Sequence, residues 1–170
     1  MFKRIAYFWM AVLLLFAQIF ILDEVSMAMW LRPMIFPLVV LLLPIEWRTI
    51  WVVIITLLLG LFMDLSLGGG GLYTSTLLPL SVMRRWMLYL TTRRSIEAGD
   101  QTSLLSRMPL RQVMIYIGAM LLLHHVMFFA LESLSFVGVV QLIITVIFST
   151  LLSLLLSWPI VGLFLKKIVK

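Results

Sequence analysis

Long apolar runs separated by short clusters of charge make up most of this chain. Ile5 to Leu22, Val113 to Leu131 and Phe136 to Leu165 meet or approach the roughly 20 apolar residues a helix needs to cross a bilayer. The last is long enough to tilt or to project beyond the membrane, and Pro159 and Gly162 give it places to kink. No turn signal divides it.

Between Met27 and Met87 the pattern is less regular. Met34 to Ile45, Ile50 to Met63 and Leu72 to Met83 are shorter apolar stretches broken by proline, glycine and a few charges. Extending the first back to Met27 takes in Arg32, Pro33 and Pro37; extending the third forward takes in Arg84 and Arg85, whose long stems can snorkel to the interface. Trp30, Trp47, Trp51, Trp86 and Tyr89 fall near the ends of these stretches, where an interfacial aromatic belt places them. The expectation is an all-α integral membrane protein with six transmembrane helices, over residues 5–22, 27–45, 49–66, 72–90, 112–131 and 136–165. These form a single transmembrane domain of residues 1–170, with 91–111 as a cytoplasmic loop that serves either as a linker or as a docking surface.

Composition agrees: 64% of residues are hydrophobic and 12% charged, too little polar material to coat a water-soluble core. Lys3 and Arg4 before the first run resemble the start of a secretory signal, with Ser26 and Ala28 as the small residues of a cleavage site. The run is longer than a signal core, and Asp23 and Glu24 stand where that region should be neutral, so an uncleaved first span is expected.

The net charge of +6 acquires meaning from its distribution. In the six-span arrangement one side receives Lys3, Arg4, Arg48, Arg84, Arg85, Arg93, Arg94, Arg107, Arg111, Lys166, Lys167 and Lys170, and the other receives Arg32 alone. Under the positive-inside rule both termini are cytoplasmic, and membrane topology rather than nucleic acid accounts for the basic balance. A four-span version, with the second and third segments as a re-entrant hairpin, preserves that parity and differs only in where Glu46 and Arg48 lie.

Polar residues inside apolar spans are candidates for function because each is costly there. Gln18, Asp64, His124, His125, Glu132 and Gln141 all fall toward the outer side and suggest an outer polar pocket or a packed polar network. Asp64 and Glu132 alternatively lie in interfacial water at helix ends, and the histidines alternatively make interhelical hydrogen bonds. His125 and Glu132 are two turns apart, too far for direct contact without a bridge. His124 and His125 diverge by about 100° around a helix, unlike the three- or four-residue spacing of paired metal ligands.

The absence of cysteine excludes disulfides, thiolate catalysis and Cys-ligated metal sites. No nucleophile elbow, P-loop or HExxH pattern is present, and no enzyme, metal or other cofactor is expected. Gly68 to Gly71 lacks the lysine of a phosphate loop and reads as a tight or flexible connection. Gly60 lets another helix approach closely, and Asp64 marks a helix end before Gly71. In the last span Gln141, Thr145, Ser149, Ser153 and Ser157 recur every four residues, a stripe suited to packing within the bundle or against a partner's transmembrane helix.

The order of segments, the stretch from Arg32-Pro33 to Leu43-Pro44, the Gly60 to Asp64 segment with Gly71, the basic loop before the fifth helix and the short basic tail together resemble MreD, the rod shape-determining membrane protein family of bacteria. The resemblance covers nearly the whole chain. It implies a non-enzymatic component of the cell-elongation machinery in the bacterial inner membrane. The expected partners are the transmembrane helix of MreC, and MreB, RodA and a penicillin-binding transpeptidase within the same complex. The family's fold is similar to that of the S components of energy-coupling factor transporters, so an S-component-like small-molecule binding subunit is the alternative expectation. No catalytic residues carry over.

Overall fold

A computed structural model describes residues 2–23, 31–44, 47–92, 108–133 and 138–167. Ser26 and Ala28, Glu24, Glu46 and most of the basic loop, including Arg93, Arg94 and Arg107, lie outside the described residues. Among the described residues the chain is helical with no strand. Its helices are α1 (Phe2–Ala17), α2 (Pro37–Leu41), α3 (Thr49–Leu67), α4 (Leu72–Thr92), α5 (Leu110–Glu132) and α6 (Val139–Lys167). Three of them, α3, α5 and α6 as far as Leu165, are long and apolar enough to cross a membrane.

Burial explains the order of packing. On α5 the buried positions Val113, Tyr116, Ile117, Met120, Leu121, His124, Phe128 recur every three or four residues, and this helix lies between α4 and α6. By contrast, α3 and α6 expose rows of large apolar side chains such as Leu58, Leu61, Leu65, Leu151 and Leu155, which water would not tolerate over so wide a face. Helix α3 packs against α4 as an antiparallel hairpin joined by the glycine turn. Gly68 ends α3 in the left-handed region at φ 68°, and Gly71 follows at φ 97° before α4 begins, conformations for which glycine is suited. Gly60 allows the two helices to touch: a Cβ there would lie 2.6 Å from the Thr74 Cα.

The second apolar segment departs from the expected continuous helix over 27–45. From Leu31 to Phe36 the described backbone is non-helical, and only Pro37–Leu41 forms a helix, of little more than one turn. Pro33 accounts for part of the break, since it lacks a backbone donor and disfavours helical geometry in the residue before it, whereas Pro37 stands at the first position of α2, where its missing N–H costs no helical bond. Among the described residues this segment is nevertheless the longest buried run, with Met34 to Leu42 almost wholly enclosed. It runs from one end of the bundle, where Arg32 meets Glu132 at the close of α5, to the other, where Arg84 and Arg85 of α4 hold Pro44 and Trp47.

Helix α1 ends in a π-helical turn, Gln18–Leu22, which presents buried Gln18 to that segment. Helix α6 continues through Pro159 without division.

Candidate functional site

Every peptide group that leaves regular structure inside an apolar bundle needs a partner, at several kcal/mol per group if it finds none. The buried stretch from Arg32 to Pro44 therefore dictates what surrounds it. Gln18 supplies both a donor and an acceptor: its Nε2 donates to the Pro33 carbonyl at 3.2 Å, and its Oε1 accepts from the Ile35 N–H at 2.8 Å. Ser149 Oγ accepts from the Arg32 N–H at 3.0 Å, and Ser153 Oγ accepts from the Met34 N–H at 2.8 Å. Four residues apart on α6, these two serines match alternate residues of an extended strand, whose N–H groups on one side recur every second residue.

Ser153 relays the contact onward. It lies 3.2 Å from His125 Nε2, and His125 Nδ1 lies 2.7 Å from the Leu121 carbonyl on its own helix. One tautomer satisfies all of these contacts: Nδ1 carries the proton and donates to Leu121, and Nε2 accepts from the Ser153 hydroxyl. Ser157 is buried too, but its hydroxyl turns back to donate to the Ser153 carbonyl.

At the opposite end of the segment Arg84 acts as a cap. Its Nη1 donates to the Val40 and Leu43 carbonyls, each at 3.1 Å, and its Nη2 to the Pro44 carbonyl at 2.6 Å. The Val40 and Pro44 carbonyls each also accept a longer backbone bond, from the Leu43 and Trp47 N–H groups at 3.4 Å, so the guanidinium supplements weak turn bonding at the end of α2. Arg84 is only 1% exposed, so the snorkelling geometry expected from the sequence is not what it adopts. Arg85 alone reaches the surface, where its Nη2 donates to the Trp47 carbonyl at 2.7 Å.

Asp64 serves a separate purpose. Although it lies on α3, one carboxylate oxygen accepts from the Tyr73 N–H at 3.0 Å, and the other accepts from the Thr74 N–H at 2.9 Å and from the Thr74 hydroxyl at 2.6 Å. It thus caps the first turn of α4 across the glycine turn, where negative charge is favoured. Asp64 lies in the last turn of α3, which ends at Leu67 with the Gly68 and Gly69 N–H groups donating to the Asp64 carbonyl, but it is buried rather than in interfacial water.

Glu132 is exposed and pairs with Arg32 at 2.5 Å; Asp23 stands 3.9 Å from the same guanidinium, which also lies over the Phe128 ring. His124 is fully buried among aromatic rings, edge-on to Phe36 at 5.3 Å, with the Thr76 backbone nearby. Gln141 is half-buried near the start of α6.

Five of the six outer polar residues are held at three separate places in the chain. Gln18, His125 and Glu132 are linked to the broken segment directly or through Ser153 and Arg32, Asp64 belongs to the α3–α4 turn, and His124 to an aromatic cluster. On the α6 stripe Thr145, Ser149, Ser153 and Ser157 are buried within the chain, while Gln141 is half-buried. Sequence reasoning missed Arg84 as a member of this network; its signal was an arginine one turn inside an apolar span, opposite a proline-broken segment. Among the described residues no group of three or more histidine or acidic side chains is placed to hold a metal ion.

No protein-family model, curated protein or solved structure matches the chain.

Proposed function

We propose that this chain is a non-enzymatic membrane scaffold of the MreD kind. It would cross the bacterial inner membrane six times with both termini in the cytoplasm, and bind the transmembrane helix of MreC to help position lateral peptidoglycan synthesis. In this reading the second crossing is the broken Leu31 to Pro44 segment rather than a continuous helix. Non-helical backbone at membrane depth is tolerated where protein encloses it and satisfies its polar groups, which is the condition Gln18, Ser149, Ser153 and Arg84 meet.

The observation that carries the reading is the coincidence of two features. The stretches behind the family resemblance, Arg32 to Pro44 and Gly60 to Gly71, each contain a break in helix that lies beside dedicated side-chain hydrogen bonds. In the six-span reading the basic residues also fall on one side, with Arg32 alone on the other. A scaffold needs a rigid interior and an apolar exterior; the enclosed polar network supports the first, and the broad apolar faces of α1, α3 and α6 support the second. The small-molecule binding alternative is less favoured, because most of the polar residues that motivated it are engaged with the protein itself.

Affinity purification of the tagged full chain from mildly solubilised bacterial membranes, with identification of co-purifying proteins, tests the role. MreC and other elongation components are the expected partners. Recovery of an ATP-driven transport module in their place would refute the scaffold and favour the alternative.

A further inference from the structure

The end of the bundle at which α3 begins carries a second feature, on its outer surface. Arg48 and Trp47 precede α3, and Arg85 joins them from α4 through its bond to the Trp47 carbonyl. Trp51 near the start of α3 and Trp86 next to Arg85 on α4 are 60% and 55% exposed, and Tyr89 lies one turn beyond Trp86. We propose that this corner binds the phosphate headgroup of an anionic phospholipid, with Arg48 and Arg85 as the cationic contacts and Trp51 and Trp86 against the lipid's glycerol and upper acyl region.

Depth, charge and aromatic content converge on a lipid. Helix α3 is apolar from Thr49 onward, so Trp47 and Arg48 stand where hydrocarbon gives way to headgroups. Exposed tryptophans at that level suit the interface, having an apolar body and one polar N–H. Arg84 adds a third positive charge immediately behind the surface, fixed on the Leu43 and Pro44 carbonyls. Against these three arginines the connection contains one acidic residue in sequence, Glu46. Among the described residues no carboxylate forms an ion pair with Arg48, whereas Arg32 at the opposite end is paired with Glu132 and lies near Asp23. Charge complementarity therefore favours an anion beside Arg48. Arginine matches a phosphate with more than one N–H, and the bond from Arg85 to Trp47 orients its guanidinium before any lipid arrives. Nothing in this site depends on the scaffold role.

Native mass spectrometry of the full chain, titrated in detergent with phosphatidylglycerol or phosphatidylcholine, tests the site. The wild-type chain is expected to retain phosphatidylglycerol preferentially. Arg48→Gln, at an exposed position, is expected to weaken that retention about fivefold, the effect of one arginine near a membrane surface. Arg48→Lys should restore most of it, and Arg111→Gln on α5 should leave it unchanged. Equal retention of the two lipids, equal losses for Arg48→Gln and Arg111→Gln, or full displacement by millimolar inorganic phosphate would each overturn the assignment. A second measurement needs no variant to fold: in the wild-type chain, brominated phosphatidylglycerol should quench tryptophan fluorescence more than brominated phosphatidylcholine, and equal quenching would count against the site.

Discussion

Ser153 satisfies two buried groups at once, the Met34 N–H and the His125 ring, and so its loss should cost more than that of a typical buried serine. Leaving a buried polar group unpaired costs about 1–3 kcal/mol, so Ser153→Ala, which unpairs two, is expected to destabilise the chain by about 2–6 kcal/mol. Ser157→Ala removes only a bond to a carbonyl of the same helix and should cost under about 1 kcal/mol. Equilibrium unfolding in mixed detergent measures both; equal effects would mean that Ser153 is a packing residue like its neighbour. Asp64→Ala removes the side chain that caps the Tyr73 and Thr74 N–H groups, and a loss of about 0.5–2 kcal/mol is expected by the same measurement. Gly60→Ala should also destabilise, by forcing α3 away from Thr74, and cross-linking between cysteines introduced on α3 and α4 should fall in that variant.

At the scale of elements, the broken segment is held by side chains at both ends, and Arg84 provides the lower hold. Arg84→Leu leaves the Val40, Leu43 and Pro44 carbonyls without their guanidinium partner while keeping an apolar side chain in the space. The end of α2 is expected to loosen. Because the chain contains no cysteine, Val40→Cys is a clean reporter: unreactive toward maleimide in the parent, where Val40 is fully buried, and reactive once Arg84 is replaced. Continued protection would show that packing alone holds the segment.

This contrast also marks what the sequence could reveal. The extents of α3, α4, α5 and α6 follow from apolar run length and turn residues, and the close approach at Gly60 followed from its lack of a side chain. Prolines at 33, 37 and 44 signalled a break, yet hydropathy counts apolar residues without regard to backbone geometry and so extended a helix across 27–45. The serine stripe was legible as one face of α6, but its partner was an extended backbone, which has no side-chain signature. Arg84 was misread for a related reason: the same arginine near the end of a span can reach water or bind carbonyls, and only the position of α2 decides between them.

For the whole molecule, the layout separates two ends. Asp23, Arg32, the Gly68 to Gly71 turn and Glu132 lie at one, while Pro44, Trp47, Arg84, Arg85 and Met108 lie at the other. A segment that joins these ends through the protein interior, its peptide groups held by side chains from α1, α4 and α6, is the feature on which the packing and the proposed topology both rest. Its sidedness is open to direct measurement with single cysteines placed at Leu31, Arg48, Arg111 and Gly138 and labelled by a membrane-impermeant maleimide on intact spheroplasts. The account predicts that positions 31 and 138 react from outside and that 48 and 111 react only after permeabilisation. Labelling of 31 and 48 from the same side would contradict it, because the broken segment would then enter and leave by one face.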